Sequence, residues 1–106
     1  MSTESSFGVM EKTKGTVKIR KKYNCIYHND DKTTFEFVSD SLVSIFGRTE
    51  EEAFMITYAI HSMGKGVANK KPLSKDIALT KQDEVLKLAK EEGFPLKVTI
   101  EEVEED

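Results

Sequence analysis

From Tyr23 the chain alternates. Tyr23, Cys25 and Tyr27 fall on one side of an extended segment, and Asn24, Ile26 and His28 on the other. A period of two belongs to a strand, and ordered structure is expected from near Val17. Asn29-Asp30-Asp31-Lys32 then interrupts the pattern, because Asx side chains bond to nearby backbone N–H groups and favour turns. The period next lengthens. Phe35, Val38, Leu42, Ile45 and Phe46 repeat at helical spacing, opened by a Thr33/Glu36 capping-box pair and stopped at Gly47. Thr49 and Glu52 form a second such pair. Ala53, Ile56, Thr57, Ile60 and His61 then fill one helical face, and Gly64 ends the helix. The short connection makes the two helices close neighbours. Gly66, Val67 and Ala68 read as a short strand, and Asn69-Lys70-Lys71-Pro72 as a loop. Asp76-Ile77-Ala78-Leu79 is expected to be extended. Thr80 with Asp83 marks a third helix start, with Val85, Leu88 and Ala89 as its stripe and Gly93 as its stop. Leu96, Val98 and Ile100 alternate with Lys97, Thr99 and Glu101, the pattern of a half-buried strand. The order β-α-α-β-α-β predicts an α+β domain. Its three-stranded, largely antiparallel sheet should carry three helices on one face.

Composition narrows the class. At 106 residues the chain is one domain. Residues 1–16 carry Ser, Thr, Gly and Lys with few apolar groups, too little to offset ordering entropy, and a flexible N-terminal arm over 1–21 is expected before a core of residues 22–106. Sixteen Lys and Arg face nineteen Asp and Glu, a net charge of -3. Phosphate neutralisation needs a cationic excess, so a duplex-DNA binder is disfavoured. RNA binding is weaker still, because the Lys12–Lys22 cluster has only Tyr23 beside it for stacking. The basic stretch and the acidic Glu101–Asp106 end read as solvated; a partner-binding arm or tail is the sharper alternative. A single cysteine, Cys25, allows no intrachain disulfide and points to a reducing, cytoplasmic setting. No apolar run approaches the ~20 residues that cross a bilayer, and Met1 to Gly15 lacks a secretory apolar stretch. A monomer is expected.

Few residue sets carry chemistry. Cys25, inside a strand, reads as inert core. Gly64-Lys65-Gly66 lacks the spacing of a phosphate loop, and no Cys/His cluster suits zinc. His28, Asp30, Asp31 and His61 form a remote metal alternative, with turn and helix-end roles as the plainer reading. Glu50-Glu51-Glu52 is a helix's acidic first turn. No cofactor is called for. Two features remain: Asn29-Asp30-Asp31 at a strand-to-helix turn, and His61 on a face with Thr57 and Ile60. Each alone has a structural explanation. Together they suit an α-ammonium, which has three donors. Asn29 offers an amide oxygen, Asp30 a carboxylate and neutral His61 a ring nitrogen. Tyr27, Val38, Ile60 and Leu96 are placed to wall an adjoining apolar pocket. Such a cup reads a free chain N-terminus, a known mode of peptide recognition.

The segment Tyr23 to Val38, with Asn29-Asp30-Asp31, Thr33 and Glu36-Phe37-Val38, resembles the N-D-D-x-T-x-x-E-[FY]-V opening of the ClpS family. Ala59-Ile60-His61-Ser62-Met63-Gly64-Lys65-Gly66 is similar to that family's A-V-H-x-x-G-x-[AG]. Ala89-Lys90-Glu91-Glu92-Gly93-Phe94-Pro95-Leu96 is similar to its A-R-x-x-G-H-P-L. The resemblance covers about residues 22–103 in the family's order. It implies a non-enzymatic adaptor of the bacterial N-end rule. Such an adaptor binds proteins bearing a bulky first residue (Leu, Phe, Tyr, Trp) and hands them to the ClpA–ClpP protease. By that match Asn29, Asp30 and His61 would hold the α-amino group, with Thr33 near the peptide backbone. Tyr27, Phe35, Val38, Thr57, Ile60 and Leu96 would line the side-chain pocket. Asp76 and Lys81 would face the N-domain of a ClpA-type AAA+ unfoldase. The chain departs from the pattern in carrying Phe35 and Thr57 where the family favours Met, and Thr34 where it has Pro. It also lacks the glycine-containing segment at Asn69, and His28 replaces an apolar residue. The competing reading is an interaction module resembling the ribosomal stalk protein's C-terminal domain, without amine recognition.

Overall fold

The computed structural model describes residues 21–103. The expected order near Val17 and residues 1–20 of the expected arm lie outside the described residues. Strand β1 runs Lys22–His28, β2 Lys65–Val67 and β3 Lys97–Val103; helices α1, α2 and α3 span Phe35–Ser44, Glu50–Met63 and Lys75–Glu92. The chain order is β-α-α-β-α-β. The strands lie β2-β1-β3, and both pairings are antiparallel. As the central strand, β1 buries Cys25, Ile26 and Tyr27 in succession, beyond the strict alternation expected.

Local chemistry sets the boundaries. Thr34, not Thr33, caps α1: its hydroxyl accepts from the Phe37 N–H at 3.1 Å. Thr33 is unavailable because its N–H and hydroxyl both donate to Asp30. The helix stops at Ser44, so Ile45 and Phe46 lie past it while still packing on the core. The capping box on α2 is present as expected, with Thr49 and Glu52 bonding reciprocally. Gly64 closes α2 at φ 94°, a left-handed conformation that a side chain would strain. The third helix is the main correction. Asp76 to Leu79 is helical rather than extended, and Ser74 caps the helix by accepting from Ile77 N–H at 3.4 Å. Thr80 sits mid-helix, its hydroxyl donating to the Asp76 carbonyl four residues back. Strand β2 starts one residue earlier than expected, and β3 runs on to Val103.

The core lies between the sheet and the helices. Cys25, Tyr27, Leu42, Ala53, Ile60, Ala78, Val85, Ala89 and Val98 are buried within it. The Tyr27 hydroxyl meets Ser41 Oγ at 2.7 Å, and its ring packs edge-on to Phe46. Burial raises its phenol above the ordinary range; the Ser41 hydrogen bond opposes that rise and Cys25 adds to it. Burial also pushes the Cys25 thiol up to about 11, partly offset by the Lys81 charge.

Candidate functional site

The turn after β1 is built around one carboxylate. Asp30 Oδ1 accepts from the N–H of Lys32 at 2.8 Å and of Thr33 at 2.7 Å, and Oδ2 accepts from the Thr33 hydroxyl at 2.7 Å. A carboxylate offers about four lone-pair directions, so one on Oδ2 stays open. Partial burial pushes this carboxyl up, but the three bonds from Thr33 and Lys32 outweigh it, and it lies below its ordinary value of 3.8. Asp30 is therefore a fixed, fully charged acceptor. The neighbouring Asn29 N–H donates to the Gly64 carbonyl at 2.8 Å, which ties the turn to the end of α2. His61 projects from the last turn of that helix. Among the described residues, nothing hydrogen-bonds to its ring.

A cavity of about 390 Å³ opens between the turn, α1 and α2. Asn29, Asp30, Thr33 and His61 line it together with Phe35, Val38, Thr57 and Ile60. Its polar groups thus stand beside an apolar wall, the arrangement typical of a small-ligand pocket. The Thr57 hydroxyl donates to the Ala53 carbonyl at 2.7 Å, so its polarity is met within α2 and the wall keeps its apolar character. Ile60 is held from behind: a Cβ at Gly66 would stand 2.8 Å from Ile60 Cγ1. An adjoining void of about 10 Å³ brings in Leu96 and His28. The His28 ring lies 2.8 Å from the Thr99 hydroxyl.

One expected lining residue lies elsewhere. Tyr27 is 0% exposed, held by Ser41 and Phe46 in the core, and does not border the cavity. Lys81 donates from Nζ to the Ile45 carbonyl at 2.7 Å and sits over the Phe46 ring, locking α3 to the end of α1. Asp76 is exposed in the first turn of α3. His28, Asp30, Asp31 and His61 do not converge: among the described residues, no three His, Cys, Asp or Glu side chains form a metal-ligand group. Sequence reasoning missed Asp31 and Thr34 as lining residues. It also missed Phe54, whose ring lies 5.3 Å from that of Phe35. The signal for Phe54 was its helical spacing from Thr57 and His61.

Residues 18–99 match the family described as ATP-dependent Clp protease adaptor protein ClpS. The chain belongs to the ClpS family. The ATP-dependent Clp protease adapter protein ClpS of Clostridium acetobutylicum is 44% identical over 103 residues, covering 97% of this chain and all of that protein. The adapter of the same name from Desulforapulum autotrophicum is 41% identical over 96 residues, covering 85% and 90%. The solved structure of Agrobacterium tumefaciens ClpS2 bound to L-phenylalaninamide aligns with a TM-score of 0.75 at 35% identity, covering 80% of this chain and 100% of that one. As a ClpS-family member the chain is an adaptor of the Clp protease and not an enzyme. No helix among the described residues is long and apolar enough to cross a membrane.

Proposed function

We propose that the cavity receives the free α-amino group and bulky apolar first side chain of a protein marked for degradation. The chain then delivers that protein to the Clp protease through the N-domain of a ClpA-type unfoldase. The observation that carries this reading is the open acceptor direction on Asp30 beside an apolar wall of Val38, Thr57 and Ile60. An ammonium on Asp30 Oδ2 makes a charge-assisted bond, the strong kind. Asn29 and His61 add neutral acceptors. Thr33, having donated its hydroxyl proton to Asp30, keeps oxygen lone pairs for a peptide N–H. The first side chain lies between Phe35 and Ile60, with Leu96 behind. L-phenylalaninamide, the ligand of the Agrobacterium relative, carries the same two groups, a free amine and an apolar ring. Delivery falls to the α3 surface around Asp76, which lies apart from the cavity lining.

Peptides differing only in their first residue test the reading. Leu- and Phe-initiated peptides should bind, and Nα-acetylation should abolish binding. Asp30→Asn keeps an acceptor for the turn N–H groups but removes the charge. The loss of about 1.5–3 kcal/mol for a charged hydrogen bond corresponds to about tenfold to a hundredfold weaker binding by titration calorimetry. Equal affinity for free and acetylated peptides would overturn amine recognition. Asp76→Lys should leave peptide affinity unchanged and slow degradation by the reconstituted unfoldase and protease.

A further inference from the structure

Phe35 borders the cavity of about 390 Å³. Directly beside it stands Phe54 of α2, with ring centroids 5.3 Å apart and ring planes tilted by 59°. Phe54 borders a different space, a cleft of about 580 Å³ between α1 and α2, together with Ser39, Asp40, Val43, Ser44 and Glu50. The two rings therefore stand between two spaces. Neither is held by the core, since Phe35 is 41% and Phe54 54% exposed. Among the described residues, Phe54 is the aromatic partner of Phe35. The wall residue one turn along α2 from Phe54 is the short Thr57.

We propose that Phe54 is a specificity-positioning residue: by bracing Phe35 it sets how large a first side chain the cavity admits. The proposal rests on reading the cavity as the pocket for that side chain. Tilted aromatic pairs hold one another through the positive edge of one ring on the negative face of the other. With Phe54 present, the Phe35 ring stands as a fixed wall. With Phe54 truncated, that ring can turn toward the cleft between α1 and α2, and the cavity lengthens. The amine end does not share this effect. Phe54 precedes His61 by seven residues on α2, about 10 Å along the helix axis. Among the described residues, the hydrogen bonds that fix Asp30 and Asn29 involve Thr33, Lys32 and Gly64 only. Phe54 therefore acts on selectivity and leaves amine recognition intact.

The experiment compares the full chain with its Phe54→Ala and Phe54→Leu variants. Each is titrated with Leu-, Phe- and Trp-initiated peptides of otherwise identical sequence. In Phe54→Ala, Trp should gain relative to Leu by about three- to tenfold, the range set by an aromatic pair. Phe54→Leu keeps much of the bulk and should shift the ratio less. Equal weakening of all three peptides would mean a merely structural role and would overturn the proposal, as would an unchanged ratio. A ligand-free readout separates this from the pocket reading. The NMR signals of the Phe35 ring should move in free Phe54→Ala, because a neighbouring ring current is lost; unmoved signals overturn the brace. If the unaltered protein binds no free-amine peptide, the pocket reading falls, and the selectivity proposal falls with it. Ring signals that still move would then show the pairing alone.

Discussion

Asn69 completes a β-ladder from outside the strand. Its Oδ1 accepts the buried Cys25 N–H at 2.7 Å, and its Nδ2 donates to Asn24 Oδ1 and to the Lys71 carbonyl, each at 2.8 Å. The backbone of β2 ends at Val67, so a side-chain amide stands in for the next strand residue. Arg48 donates to the carbonyls of Ala68 and Asn69, which pins the same loop to α2's entrance. Asn69→Ala removes the acceptor of a buried donor. Leaving such a group unpaired costs about 1–3 kcal/mol, so the urea midpoint should fall by that equivalent with the slope unchanged. Asn69→Asp keeps the acceptor, forfeits the two donated bonds, and should be destabilising as well. The loop signature Asn-Lys-Lys-Pro was legible in the sequence. The role of Asn69 was not, because its partners at Asn24 and Cys25 are distant in the chain.

Among the elements, α2 and β2 decide the depth of the cavity. Gly66 sits where Ile60 comes closest, and a Cβ there would meet Ile60 Cγ1 at 2.8 Å. Isoleucine is branched at Cβ and stiff at χ1, so Gly66→Ala should drive Ile60 toward the cavity it lines. Affinity for Trp- and Phe-initiated peptides should fall more than affinity for Leu, in a titration series that spares the amine contacts. Elements whose signals are local were readable. The Thr49/Glu52 box and the Gly64 and Gly93 stops involve groups within a few residues of one another. The start of α3 was misread because Thr80 and Asp83 imitate a cap. Ser74 reaches the free Ile77 N–H first, and Thr80 bonds back into the helix. Tyr27 is expected in the pocket wall, but on the central strand its side chain enters the core, where Ser41 on α1 claims the hydroxyl. Asn29, Asp30 and His61 border one cavity because the Asn29 N–H bond to the Gly64 carbonyl brings the turn to the helix end, a contact that no local signal in the sequence announces.

For the whole molecule, the ionisable groups define a window of stability. Asp30 lies below its ordinary 3.8 in the folded state. Its contribution is complete above that unfolded value and is lost as pH falls through the lower folded one. Glu52 shares this direction, chiefly through the Thr49 N–H bond. Cys25 moves the other way, from 9.0 to about 11, through burial. Its contribution is complete below 9.0 and is lost as pH rises toward about 11, and the raised Tyr27 phenol adds to the alkaline limb. Urea midpoints measured across pH should form a plateau from about 5 to about 8, falling on both sides. Asp30→Asn should flatten the acid limb, and Cys25→Ala part of the alkaline one. Native Cys25 should resist alkylation at pH 8 and react once the chain is unfolded.

The bond from Asn29 N–H to the Gly64 carbonyl has a kinetic meaning as well. Gly64 alone separates α2 from β2, so the turn bearing Asp30 and the helix end bearing His61 form one stiff unit before any ligand arrives. A ligand that fits this unit waits for no loop to close. Its association is governed by the frequency of encounter, and differences among ligands are expressed in how long each one stays.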